Sequence, residues 1–231
     1  MKNLYPKNLY PRHPMKYGRI LGLTAFAFAL AVTPAKADLY TLTLDHCTGG
    51  CGSSPFGTIN ITQNGANTVH FDIELANGNE FIQGGLPGST VGFNLTSNVT
   101  VSLTNATLPG WSLDNGGAPG SLNFDGFGAF EYSLNCCFSQ TGGSHAQPGS
   151  IQFDLTGAGL TPAQFQELST IPPGDTRAFF AVDVLSGQTG NTGPVGTNTP
   201  PSAVPEPSSI VLFGSVLAGV LHFVRKRHAV A

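Results

Sequence analysis

"TVHFDIEL", residues 68–75, alternates without a break: Val69, Phe71, Ile73 and Leu75 on one side, His70, Asp72 and Glu74 on the other. Successive side chains of a strand point to opposite faces, so this period of two describes a strand with one dry and one wet face. Such strands belong to antiparallel sheets, because parallel sheets are covered on both sides. The habit recurs outward from this stretch. "LYTLTLD" (39–45) sets Leu39, Thr41, Thr43 and Asp45 against Tyr40, Leu42 and Leu44, and "FGTINIT" (56–62) places Ile59 and Ile61 together. "TVGFNLT", "VTVSLTN", "FGAFEYSL", "SIQFDLT" and "FFAVDVL", beginning at Thr90, Val99, Phe127, Ser150 and Phe179, repeat it. Asn64-Gly65, Asn77-Gly78, Pro87-Gly88, Pro109-Gly110, Asn115-Gly116 and Asp125-Gly126 supply the turns between them. Short strands with Gly-rich turns predict an all-β fold, an antiparallel β-sandwich of jelly-roll-like type, with a closed barrel as the rival. One short helix is expected in "LTPAQFQEL" (160–168), with Thr161 as N-cap and Pro162 in the first turn.

Both ends of the chain depart from this pattern. Lys2, Lys7, Arg12, Lys16 and Arg19 precede the apolar run "ILGLTAFAFALAV" (20–32), and Ala35 and Ala37 follow in a small-x-small arrangement. That order is a secretory signal peptide. Residues 1–37 are expected to be removed, so that the mature chain starts at Asp38. Near the other end, 186–203 is rich in Gly, Pro, Thr, Ser and Asn without periodicity and reads as a flexible linker. The folded domain is therefore expected over 38–185. Beyond the linker stand Pro205-Glu206-Pro207, an apolar run, and the basic tail Arg225, Lys226 and Arg227. The run falls short of the ~20 apolar residues that span a bilayer comfortably. With bases behind it, it is nevertheless expected as a single C-terminal transmembrane helix over 208–224, its basic side in the cytoplasm.

The tripeptide, apolar run and basic tail, in that order behind a signal peptide, resemble the PEP-CTERM sorting signal of exported Gram-negative bacterial proteins, here over 204–231. The resemblance implies processing by an exosortase-type membrane enzyme in hosts that make extracellular polysaccharide. It also implies a membrane-anchored precursor, then a product at the cell surface or outside it. A wider resemblance is carried by "CTGGCGSSPFGTINITQ" (47–63), "DGFGAFEYSL" (125–134) and "GLTPAQF" (159–165). It is to a recurring group of PEP-CTERM proteins and brings no activity with it.

The sorting segments hold nearly all the bases. From Asp38 to Val204 there are 12 acids and one base, Arg177, a net charge of −11. Nucleic-acid binding depends on neutralising phosphates with Lys and Arg, so it is excluded. Anionic lipid and anionic polysaccharide are repelled as well.

Cys47, Cys51, Cys136 and Cys137 form an even set in an exported chain and read as two disulfides. Adjacent cysteines bridge only across a strained peptide. Cross-pairing of Cys47 and Cys51 with Cys136 and Cys137 is therefore favoured, with a small Cys47–Cys51 loop as the alternative. A zinc site with His46 is the minor reading. Signals for catalysis are sparse. His46, His70 and His145 are the histidines of the mature part, and no Gly-x-Ser-x-Gly motif accompanies them. Asp72 and Glu74 share a strand face, as a glycosidase pair could, but a solvated face explains them more simply. Asp114 and Asp125, on tight Gly-rich turns, are weak calcium candidates. No cofactor is implied. Asn60, Asn94, Asn98 and Asn105 begin Asn-x-Thr triplets on a Thr- and Asn-rich face that could meet sugar hydroxyls.

Together these features predict a non-enzymatic, exported surface or matrix protein associated with exopolysaccharide. The alternatives are a calcium-dependent carbohydrate-binding module or carbohydrate-active enzyme, and a permanently anchored envelope protein.

Overall fold

The computed structural model describes residues 36–84, 88–116, 120–170, 175–205, 214–216 and 219. The chain divides into two units, residues 1–34 with 207–231 and residues 35–206, and the strands all lie in the second. They are β1 (Lys36–Leu42), β2 (Leu44–Asp45), β3 (Gly57–Gln63), β4 (Thr68–Leu75), β5 (Glu80–Phe81), β6 (Val91–Phe93), β7 (Ser102–Thr104) and β8 (Ser112–Asp114). After them come β9 (Leu122–Phe124), β10 (Gly128–Phe130), β11 (Tyr132–Asn135), β12 (Ser150–Thr156), β13 (Phe180–Leu185), β14 (Thr192–Thr197) and β15 (Ser202–Pro205). The first sheet has the order β15-β1-β3-β4-β12-β7. The second runs β2-β14-β13-β6-β11-β8, with β5 also paired to β13, and β9 and β10 form a separate hairpin. The paired strands are antiparallel throughout.

β4 behaves as its alternation requires. Val69, Phe71 and Ile73 are buried, and His70, Asp72 and Glu74 lie on the other face. Its neighbours are in matching register, Ile61 of β3 and Phe153 of β12 both standing opposite Phe71. The Phe71 ring stacks on Phe153 at 4.8 Å and meets Phe93 of β6 and Phe180 of β13 at 6.4 Å each. The two sheets thus face each other across an aromatic core. The expected helix is a single 3-10 turn, Pro162–Phe165, that closes one side of this core. The Thr161 N–H donates to the Gln164 side-chain oxygen at 2.7 Å, and Phe165 is fully buried 5.0 Å from Phe71.

The second sheet is covered on its other face too. Phe124, Phe127 and Phe130 from the β9–β10 hairpin pack with Ala178 and Ala181 into a second cluster. Their approach needs small residues beneath. A Cβ added to Gly92 of β6 would lie 2.5 Å from the Phe124 ring, and one on Gly196 of β14 2.8 Å from the Phe127 ring. Asp183, two residues along β13 from Ala181 and on the same face, is half-buried with its carboxylate hard against Gly84. Burial first, and the Asp125 carboxylate second, push its carboxyl up to about 8.

Three expectations are corrected. Residues 186–203 are not a flexible linker: β14 pairs with β13 from Thr192 to Thr197, Val195 is fully buried, and β15 pairs with β1. The glycines of β14 serve close packing, Gly196 under Phe127 and Gly193 against the Cys47 backbone. The transmembrane helix expected over 208–224, and with it the membrane-anchored precursor and the membrane as a partner, finds no support in the described residues. Among the described residues no helix is long and apolar enough to cross a membrane. Residues 214–216 and 219 of that segment are helical, and the remainder, like the signal peptide through residue 35, lies outside the described residues.

The third correction is the cysteine pairing. The disulfides are Cys47–Cys51 and Cys136–Cys137, with Cα atoms 5.5 and 3.7 Å apart. Cys47 follows β2 and Cys136 follows β11, four places apart in the second sheet. At about 4.8 Å per strand that is roughly 19 Å, far beyond disulfide reach. The adjacent pair opens into a left-handed turn of Cys137, Phe138 and Ser139, which leaves Phe138 65 % exposed.

Two outcomes are expected. Gly92→Ala should lower the unfolding free energy by about 1–3 kcal/mol in denaturant melts, because the added methyl overpacks the hairpin rings. The raised Asp183 carboxyl contributes stability that is full below its unfolded value near 3.8 and is lost as pH rises toward 8. The Tm should fall across that window, and Asp183→Asn should flatten the fall.

Candidate functional site

The wet face of β4 is the middle of a broad polar surface on the outside of the first sheet. Cross-strand register sets its rows. Leu39, Asn60, Asp72 and Gln152 stand side by side on β1, β3, β4 and β12, and Thr41, Thr58, Glu74 and Ser150 form the next row. Between these rows lies an open cleft of about 260 Å³ lined by Leu39, Thr58, Asn60, Asp72 and Glu74. Thr58 and Asn60 alternate with the buried Ile59 and Ile61, so core packing itself turns them outward. The Asn60 side-chain oxygen is shielded from solvent and has no hydrogen-bond partner among the described residues. A buried acceptor left unpaired is costly, roughly 1–3 kcal/mol. The cleft presents two carboxylates and a hydroxyl, with the Asn60 side chain among them, an arrangement suited to receiving hydroxyl donors.

One row further along the same face, Thr62, His70, Asp154 and Thr104 are in register. His70 Nδ1 lies 2.8 Å from Asp154 Oδ1, and Asn105 Nδ2 donates to Oδ2 at 2.7 Å. Burial opposes the Asp154 charge, but the bonds from Asn105 and His70 outweigh it and hold the carboxyl below its ordinary value. The group is fully engaged and serves as a brace between β4 and β12.

The other residues singled out in the sequence are scattered. Among the described residues, the one convergent group of three metal-ligand side chains is Asp45, Cys47 and Cys51. Its two sulfurs are joined in the disulfide, and the Asp45 carboxylate accepts the N–H groups of Cys47 and Cys51 at 2.9 and 2.8 Å. That motif is a self-contained loop, and zinc chemistry has no free thiolate there. Asp114 accepts the Gly116 N–H at 2.8 Å in its own turn, while Asp125 sits at the tip of the β9–β10 hairpin. The two calcium candidates belong to different turns. His46 packs edge-on against Phe127 at 4.5 Å, and His145 is exposed on a 3-10 turn. Of the sorting tripeptide, Pro205 ends β15, opposite Lys36. Glu206, Pro207, Arg225, Lys226 and Arg227 lie outside the described residues.

Sequence reading placed Asp72 and Glu74 on one face, but missed Leu39, Thr58 and Asn60 as their neighbours. Alternation assigns each residue a side of its own strand. It does not say which strands adjoin, nor in what register.

Asp154→Asn should lower stability at pH 7 by roughly 1 kcal/mol, the net scale of one hydrogen bond. The lowered carboxyl contributes stability that is present above its unfolded value and lost as pH falls through the folded one. Wild type should therefore lose part of its unfolding free energy in acid below about pH 4, and the variant should lose less.

Residues 203–227 match the family described as the PEP-CTERM protein-sorting motif. No curated protein and no solved structure matches the chain. The chain carries a PEP-CTERM sorting signal at its C-terminal end.

Proposed function

We propose that the protein is exported behind its N-terminal leader, processed through its PEP-CTERM signal by an exosortase-type enzyme, and serves as a non-enzymatic component of the cell surface or extracellular matrix. There it holds uncharged polysaccharide on the outer face of the first sheet. The observation that carries the second half is the cleft around Asn60. Its lining is rich in acceptors, holds Asp72 and Glu74 for bridging neighbouring sugar hydroxyls, and includes Leu39 for an apolar sugar face. A net charge of −11 between Asp38 and Val204 selects against acidic polymers. The cleft volume of about 260 Å³ lies below the ~300–1,000 Å³ of sites that engulf a small molecule. That size suits contact with one unit of a longer chain, and its lining contains no aromatic side chain to grip a distorted sugar.

The test is affinity electrophoresis and calorimetry of the full-length protein on the uncharged and the acidic polysaccharide fractions of its own host. Binding to the uncharged fraction is expected, unchanged by a chelator and without release of reducing ends. Asn60→Ala and Asp72→Ala should each weaken it about five- to tenfold, the loss of one hydrogen bond. Preference for the acidic fraction, or binding indifferent to both substitutions, overturns the proposal. Release of reducing ends that Glu74→Gln abolishes would replace it with a hydrolase.

A further inference from the structure

The two ends to be processed meet in one β-ladder. β15 is the edge strand of the first sheet, and β1 is its partner. The register pairs Lys36 with Pro205, Ala37 with Val204, Asp38 with Ala203, and Leu39 with Ser202. The expected leader-cleavage bond, between Ala37 and Asp38, falls in the middle of this ladder. The first proline of the sorting tripeptide closes its end.

This has two consequences for access. Ala37 is only 4 % exposed, and it is flanked by Val204 on one side and Thr62 of β3 on the other. A peptidase that takes its substrate as an added strand needs a free backbone edge, and at Ala37 both edges are taken. The bond is therefore open only before β1 docks. Water then cleaves the amide, leaving a carboxylate on Ala37 with the leader and an ammonium on Asp38. Lys36 and Ala37 depart, and Val204 and Pro205 lose their partners. What remains is Asp38 with Ala203 and Leu39 with Ser202, a two-pair ladder at a sheet edge. Short terminal pairings of this kind open with little free energy.

We propose that the β1–β15 ladder makes leader removal a precondition for access to the sorting tripeptide. A chain that folds with its leader attached shields the leader bond and ties Pro205 to Lys36, so it is sorted by neither route. A chain cut before folding presents residues 204–205 as a frayed strand continuous with the rest of the signal. This inference rests on the export reading above.

The experiment is a pulse-chase of the full-length protein in its own host, with both ends followed by intact mass. Three chains are compared: wild type, Ala35→Arg, and Ala35→Arg combined with Ser202→Pro and Ala203→Pro. Ala35→Arg spoils the small-x-small site but lies outside β1. N–H groups of consecutive strand residues point to alternate sides, so the paired prolines remove a ladder donor whichever residue faces β1. Wild type should lose its leader first and the Arg225–Arg227 tail second. Ala35→Arg should slow tail loss at least tenfold, and the combined variant should regain it with the leader still attached. Tail loss from Ala35→Arg at the wild-type rate overturns the ordering alone. So does tail retention by the combined variant, which would place the block in the leader itself. A wild-type chain that keeps both ends overturns the export reading, and the ordering with it.

Discussion

The parity of β4 is the constraint on which the rest of the structure depends. Phe71 sits where rings from both sheets and from the 3-10 turn converge, stacked on Phe153 and in contact with Phe93, Phe165 and Phe180. A slip of one residue in β4 would bring His70 and Asp72 into that aromatic nest and turn Phe71 outward. Burying such groups without partners costs several kcal/mol apiece. The same parity, carried through the register to β3 and β12, lines up Asn60, Asp72 and Gln152 on the far side. Core and cleft are two faces of a single register, and neither could shift without the other.

The two sheets differ in how much of them was legible in the sequence. The first has one wet face, so its strands announce themselves by alternation: β3, β4 and β12 could be read directly, and with them the outward side of Asp72 and Glu74. The second sheet is covered on both faces. Alternation is still visible in "FFAVDVL" but no longer tells a wet face from a dry one, as in the uniformly buried β6, and it is missing from β14. There glycine stands where an aromatic ring presses close, at Gly92 under Phe124 and at Gly196 under Phe127. By sequence "TGPVGT" reads as part of a linker, because glycine and proline usually mean a free backbone. In β14 they mean a crowded one. What decides between those readings is the hairpin on top, which lies some 70 residues away in sequence.

The cysteines failed in the sequence reading for a related reason. An even count in an exported chain announces disulfides, and the structure has two. Their pairing depends on where β2 and β11 lie within the second sheet, which is a matter of topology and not of spacing. Local closure also changes what the bridges do. A cross-link over about 85 residues would have removed ~4–5 kcal/mol of unfolded-state entropy, whereas a five-residue loop removes ~2 kcal/mol. The cohesion of this domain therefore rests on its aromatic core. The Cys47–Cys51 loop shapes one turn, where the Asp45 carboxylate gathers both cysteine N–H groups.

On the proposed reading, the modest size of the cleft and the sorting signal explain each other. A shallow site that touches one sugar unit through a few hydrogen bonds yields only weak binding, since ordering a polymer offsets much of what the contacts contribute. Weak sites become effective when many are held together, because each binding event after the first is then effectively intramolecular. A signal that collects copies at a surface or in a matrix supplies that condition, where a freely diffusing monomer would not. The acidic surface fits the same arrangement. It keeps crowded copies apart from one another and from acidic polymers, while leaving hydroxyl-rich chains free to bridge them. An arrangement of this kind needs neither a deep pocket nor a catalytic group. It needs a rigid sheet that keeps its polar rows in register, and the packing around Phe71 provides one.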